Sequence, residues 1–281
     1  MSFRTLKLVN IPCPLCGGTE NMPWAEENGY HAVKCADCGL VYVNPRPSGD
    51  AIQEANMLGQ HRTADGVMDV VYKPSRRKIL HYGRIVRKLF RNEIASGKPV
   101  QWLDIGAGYG EFVESVAQSF PAGSVVEGID PMLAKVTHAQ ARGLAITTKS
   151  IAEIDKKYDV ISLINVFAHI PDFESFLAET RSVLKDDGCI FLETGNGSDL
   201  ARRSQYPDEL FLPDHLVFGG VDHVKGFLVR GGFSRIKTYE IRRDTLMWSA
   251  KSLVKKMIGR PAKLCLPYVS PFRSVFFKAA I

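Results

Sequence analysis

Residues 101–112 read QWLDIGAGYGEF, and the fold turns on them. A short apolar run from Val100 to Ile105 carries Asp104 near its end, Gly106, Gly108 and Gly110 follow at alternate positions, and Glu111 opens a stretch in which Phe112, Val113, Val116 and Phe120 recur at helical spacing. The order is strand, glycine-rich turn, helix. Glycines belong where a side chain would strike a ligand lying across a strand end, or where the turn needs positive φ. The helix start behind them offers free backbone amides. Further out, Val125 to Ile129 reads as a second strand and ends at Asp130, where a carboxylate can accept both hydroxyls of an adenosine ribose; Pro131 is placed to open the next helix.

Three segments together, LDIGAGYGEF (103–112), EGIDPM (127–132) and YDVISLINVFAHIPDFESFLAETRSVLKDDGCIFLETGN (158–196), resemble the class I S-adenosylmethionine-dependent methyltransferases over residues 101–233. The resemblance implies an α/β fold with a Rossmann-like seven-stranded sheet, mostly parallel with an antiparallel last strand, and S-adenosylmethionine as cofactor with S-adenosylhomocysteine as product. By position in the motifs, Asp104 supports the methionine end of the cofactor and Gly106, Gly108 and Gly110 line its methionine and ribose. Asp130 takes the ribose hydroxyls, and Met132 packs on the adenine. Ser150 and Ile151 sit at the adenine's edge after a strand from Leu144 to Thr148, and Asn165 faces the methionine at the end of a strand from Val160 to Ile164. Met132 and Ile151 read equally as ordinary core residues. His169 lies in AHIPD, where relatives carry a glutamate at the position of Ala168; without that carboxylate, His169 is expected to orient the loop over the cofactor.

Residues 196–232 resemble the insertion that covers the active site in a branch of the family whose members often bear an N-terminal cysteine module and act on sugars or other small metabolites. Asp214, His215 and Phe218 match the start of its helical part, and Gly231, Gly232 and Phe233 its end. A histidine at such a mouth can take a proton from an acceptor while a carboxylate holds its tautomer. His215 with Asp214 is therefore the candidate base, the other reading being that His215 caps the helix or contacts the cofactor. Tyr72 and Tyr206 are further candidates to reach the pocket. Methyl transfer from an activated sulfonium asks little of side chains beyond alignment and exclusion of water.

Toward the N-terminus, Cys13-Pro-Leu-Cys16 and Cys35-Ala-Asp-Cys38 form two matched knuckles separated by eighteen residues, with Gly17, Gly18 and Gly39 allowing sharp turns. This is the spacing of a zinc ribbon, and four thiolates would close the shell, making the metal structural. Two disulfides, a redox pair or an iron-sulfur cluster compete, but disulfides fit poorly with a chain expected to be cytoplasmic, and a redox motif needs no second knuckle. Trp24, Tyr30 and Val33 can cover the module, and residues 40–47 read as a strand ended by Pro45 and Pro47.

The expected division is a ribbon at 1–47, a helical connector at 48–97 and a methyltransferase domain at 98–281 with closing strands at Ile236–Ile241 and Ser274–Ala279 and a basic insertion at 252–264 between them. With 281 residues, of which 45% are hydrophobic, the chain can bury such a core. No apolar run is long enough for a membrane span. A net charge of +6 suits a small anionic or nucleotide-linked acceptor without requiring one, and composition does not specify an oligomeric state. From Pro74 to Ile94 apolar residues at helical spacing alternate with Arg76, Arg77, Lys78, Arg84, Arg87, Lys88 and Arg91; a solvated charged face is favoured over phosphate binding. An RNA substrate is disfavoured, since the ribbon offers Lys34 and few other cations and no base-flipping motif follows the fourth core strand; a non-catalytic scaffold that keeps the cofactor pocket as a fold element is the remaining alternative.

Overall fold

The computed structural model describes residues 7–70, 73–242, 250, 253–254, 256–257 and 269–281. Tyr72 and most of the basic stretch 252–264 lie outside the described residues. The large sheet is built from β1 (Gln101–Ile105), β2 (Val125–Ile129), β3 (Ala145–Thr147), β4 (Tyr158–Ile164), β5 (Leu184–Gly195), β6 (Arg235–Arg242) and β7 (Arg273–Ala280). In space they run β3-β2-β1-β4-β5-β7-β6. Pairing is parallel from β3 to β5, and β7 is antiparallel to both its neighbours. The expected Rossmann-like fold is thus present, with the last strand in sequence inserted next to the sheet edge.

The central strands are apolar on both sides because both faces are covered. On one face Trp102 packs edge-on against Phe90 and Phe120, and the helix Arg76–Leu89 inserts Tyr82 edge-on against Phe112 at 5.4 Å. That helix buries Tyr82, Ile85 and Val86 and leaves Arg76, Arg77, Lys78, Arg84, Arg87 and Lys88 exposed, the arrangement of a packed helix with a solvated face. On the other face Leu103, Ile105, Ile161 and Leu163 join a cluster with Leu177, Phe167 and Phe227. Chain direction reverses across the sheet at β1: the chain moves outward through β2 and β3, then returns to lay β4 on the other side. In open α/β sheets, ligands bind beyond the strand ends at this switch point.

The N-terminal module is not set apart from this core. Strands Asn21–Glu27, Tyr30–Cys35 and Val41–Val43 form an antiparallel sheet whose fourth member, Val217–Phe218, comes from the segment expected to open a helix. The helix begins later, at Val221–Arg230. Backbone bonds run from Val43 N to Leu216 O at 2.8 Å and from Leu216 N to Ala168 O at 2.7 Å, so the ribbon, the insertion and the loop of His169 form one ladder. Cys13, Cys35, Leu40 and Tyr42 belong to the same buried cluster as Leu103 and Ile161. The proline-ended strand is shorter than expected: after Val43 the chain crosses the Asn44-Pro45 peptide, and Arg46–Pro47 pair instead with Leu8–Val9. Among the described residues no helix is long and apolar enough to cross a membrane.

Candidate active site

At the switch point, Gly106 and Ala107 amides both donate to the Ile129 carbonyl, at 2.8 and 3.0 Å, folding the turn over the end of β2. Gly106, Gly108 and Gly110 all have positive φ, at 73°, 55° and 81°. Their reasons differ. A Cβ on Gly106 would lie 2.5 Å from Val166 Cγ2, and one on Gly110 would lie 2.4 Å from Leu144 Cδ1, so these two glycines permit close packing of the turn on its neighbours. A Cβ on Gly108 would meet nothing within 4 Å: this is the glycine that faces open space. Asp130 accepts from Gly108 N at 2.8 Å through one carboxylate oxygen and from Met132 N at 2.9 Å through the other. Each oxygen has a second lone pair, so Asp130 holds the turn and retains acceptor capacity toward a diol.

Asp104 is 1% exposed and accepts a 2.5 Å hydrogen bond from Ser162 Oγ, which itself accepts from Trp102 Nε1 at 2.8 Å. Burial pushes the Asp104 carboxyl up to about 8, with the Ser162 bond opposing the shift and Asp130 adding to it. A cationic ligand beside Asp104 and Asp130 would relieve both. The open glycine, the residual lone pairs of Asp130 and this acidic floor fit S-adenosylmethionine. Met132 is buried, as is Ile151, which belongs to the principal core cluster with Ile129. Ser150 is exposed and is engaged in a reciprocal cap with Glu153, whose carboxylate accepts from both its amide and its hydroxyl at 2.8 Å. Pro131 precedes the helix Leu133–Gln140 rather than opening it, because Met132 occupies the cap.

Asn165 ends β4 with φ 57° and reaches Glu193 Oε2 at 3.2 Å and Tyr82 Oη at 3.3 Å. It lines a cavity of about 150 Å³ whose walls include Tyr206, Phe211, Phe218, Phe272 and His215. Asn165, just after β4, and His215, within the insertion, therefore share one cavity. Asp214 does not hold His215. Its carboxylate oxygen is 3.0 Å from His169 Nδ1 and 3.1 Å from His61 Nε2. The expected Asp214–His215 pairing fails because side chains of adjacent residues diverge here, and Asp214 turns inward to be 7% exposed while the His215 ring lies 4.9 Å from that of His169. His215 Nδ1 is buried with no hydrogen-bond partner among the described residues.

Burial opposes ionisation of Asp214, yet the adjoining His169 and His61 hold its carboxyl well below the usual range. Burial also disfavours a charge on His169, but the Asp214 carboxylate outweighs it and raises the imidazole. His215 is pushed down to about 4, first by burial and then by the His169 charge. The site thus joins a carboxylate, an imidazole whose proton that carboxylate helps to hold, and, lining the cavity, an imidazole whose charged form is disfavoured.

The four cysteine sulfurs lie within 4.8 Å of one another, with Cys13–Cys38 and Cys16–Cys35 each at 3.5 Å. Tetrahedral zinc with bonds of about 2.3 Å would need sulfur separations of about 3.8 Å. Each knuckle closes by the same turn: Gly17 N donates to Cys13 O and Gly39 N to Cys35 O, both glycines having φ 78°. Gly18 does not share that conformation; its space is filled by Asp37. Burial pushes the Cys13 thiol up to about 11, whereas at Cys35 burial is outweighed by the backbone amides of Cys38 and Asp37, which lower it; a cation at the centre would favour the thiolate form of Cys13. His223 Nε2 contacts Cys38 O at 2.8 Å, tying the second knuckle to the helix of the insertion.

Sequence reasoning missed Ser162, Tyr82, Glu193 and His61. Ser162 and Glu193 left a signal, a lone polar residue inside an apolar strand; His61 and Tyr82 left none, since only tertiary contact gives them partners.

A family model described as "Methyltransferase domain" matches residues 76–225. The ubiquinone biosynthesis O-methyltransferase of Haemophilus ducreyi is 34% identical over 114 residues, 36% of this chain and 46% of that protein. The one from Actinobacillus pleuropneumoniae is 33% identical over 114 residues, 36% of this chain and 47% of that protein. The matched stretch thus spans just under half the length of these relatives. A SAM-dependent methyltransferase structure from Archaeoglobus fulgidus superposes with a TM-score of 0.50 at 18% identity, covering 70% of this chain and 93% of that one. The plantazolicin methyltransferase gives 0.50 at 13% identity over 73% and 85%. These two show the shared fold.

Proposed function

The chain belongs to the methyltransferase-domain family, and on that footing we propose that it transfers a methyl group from S-adenosylmethionine to a hydroxyl of a small molecule. The observation that carries this reading is the single cavity shared by Asn165, at the cofactor end of β4, and His215. When bound, the cofactor supplies an already activated methyl. Asp130 grips its ribose, Gly108 leaves it room, and Asp104 faces its cationic end. Asn165 borders both sites. His215, neutral at physiological pH, takes the acceptor proton on its imidazole, and the aromatic walls exclude water and align the acceptor. The relatives' printed name, O-methyltransferase, supports oxygen as the acceptor atom.

The finer acceptor class follows the resemblance: a sugar or glycan precursor, or a secondary metabolite, with nucleotide-linked forms included. Cys13, Cys16, Cys35 and Cys38 hold a structural zinc that fixes the ribbon against the cavity wall. Release of S-adenosylhomocysteine, measured against a panel of hydroxylated sugars and phenols, tests the reaction. His215→Ala should keep cofactor affinity and lose turnover; a full-rate variant removes His215 as base.

A further inference from the structure

Asp214 is faced by imidazoles from three separate parts of the chain. His215 is its neighbour in sequence and His169 follows β4. The third, His61, comes from the hairpin Gln60–Thr63 and Gly66–Asp69, outside the residues that match the family model. His61 is 3% exposed, and its Nε2 lies 3.1 Å from the oxygen of Asp214 that also faces His169, at ion-pair distance but without the alignment of a hydrogen bond among the described residues. Burying an imidazole costs free energy unless a partner compensates, and Asp214 is the carboxylate within reach.

The hairpin is fixed where it stands. Tyr30 Oη donates to the Arg62 carbonyl at 2.9 Å, and Ala64 N donates to the Asn28 carbonyl at 3.0 Å. Asn28 Nδ2 in turn donates to the Leu212 carbonyl at 2.8 Å, two residues before Asp214. The packing is close enough that a Cβ on Gly29 would come within 2.5 Å of Ala64 Cβ. The ribbon turn at Asn28–Gly29 therefore clamps both the hairpin that carries His61 and the segment that carries Asp214.

His169 alone holds the Asp214 side chain incompletely. Its Nδ1 is shared between the Asp214 carboxylate and the Asp214 backbone carbonyl, both at 3.0 Å. We propose that His61 is a positioning residue of the active site, bringing its Nε2 edge against the Asp214 carboxylate so that Asp214 keeps His169 in place beside the ring of His215. This rests on the reading of His215 as base. His61 acts through two intervening side chains and touches no reacting atom.

The test uses the full-length protein. His61→Ala should lower kcat about tenfold or more while leaving the KM for S-adenosylmethionine within about twofold, and His61→Gln, whose amide offers a donor near the same place, should restore most of the loss. Nitrogen-15 spectra of the histidine rings give a readout independent of turnover: the His169 signal should shift in His61→Ala, and the His61 signal should shift in Asp214→Asn. Unchanged kcat in a folded His61→Ala, equal losses in the Ala and Gln variants, or a His61 signal that ignores Asp214→Asn would each overturn the proposal. If His61→Ala does not fold, the Gln variant and the Asp214→Asn spectrum still decide. If His215→Ala runs at full rate, the base assignment falls, while the His169 shift still reports on His61.

Discussion

The cofactor cradle and the acceptor wall are built in opposite ways. Apart from Asp104, which Ser162 holds, the groups from the glycine turn to Met132 come from one strand-turn-helix-strand passage, and the bonds that fold the turn onto Ile129 and Asp130 stay within it. The wall is drawn from the loop after β4, the end of β5, the insertion and Phe272 beside β7, and the ribbon and the connector hairpin brace the insertion from behind. A local site can be written in a motif; a wall drawn from four segments depends on what holds those segments together. In this molecule that is the ladder from Val43 through Leu216 to Ala168, with the cysteine knuckles at its far end.

The contrast breaks most visibly at the cysteines. Cys35→Ser should abolish turnover while changing cofactor affinity less than about tenfold, because zinc binding is folding energy for the ribbon and the cradle does not use it. Parallel loss of cofactor affinity would show the two regions to be one unit. Asp130→Ala should weaken S-adenosylmethionine binding about 100-fold by calorimetry, since the carboxylate serves both the turn and the ribose.

Within the cradle, the three glycines separate packing from ligand room. Gly110→Ala should cost about 2–3 kcal/mol of unfolding free energy through its clash with Leu144 and strained φ. Gly108→Ala should cost about 1 kcal/mol in stability yet lose more cofactor affinity. Denaturant titration and calorimetry on both variants check the pair.

The wall should also be the acid-sensitive half. The unfolded chain protonates a histidine near pH 6.5, the folded His215 only near 4, so between those values the unfolded state binds more protons and stability falls as pH falls. Asp214, depressed in the fold, adds stability above the ordinary carboxylate range that disappears below it. His169, raised in the fold, acts in the opposite sense: its contribution is present below its ordinary value near 6.5 and is lost as pH rises through its raised folded value. With His215 as base, kcat should hold down to about pH 5, and a fall centred near 6.5 would contradict its depressed state. The smallest effect belongs to the charged helix face: Arg84→Gln with Arg87→Gln should change stability by less than about 0.5 kcal/mol and leave cofactor affinity alone.

How far the sequence could be read follows the same division. Strand, glycine turn and Asp130 were legible because backbone sterics and burial force those residue types at those spacings. The cysteine pairs were legible because two matched knuckles have few uses. What Asp214 pairs with was not, because sequence adjacency suggested His215 while the fold supplied His169 and His61 from loops 45 residues or more away. The strand at Val217–Phe218 was also hidden: two residues carry no periodicity, and their partner Val41–Val43 lies in another module.

The central claim is that the cradle around Asp130 binds S-adenosylmethionine. The most direct measurement is a calorimetric titration of S-adenosylmethionine into the full chain and its Asp130→Ala variant. One site per chain, weakened about 100-fold by the substitution, is the predicted result. Absence of binding in the wild type, or equal affinity in the variant, would contradict it.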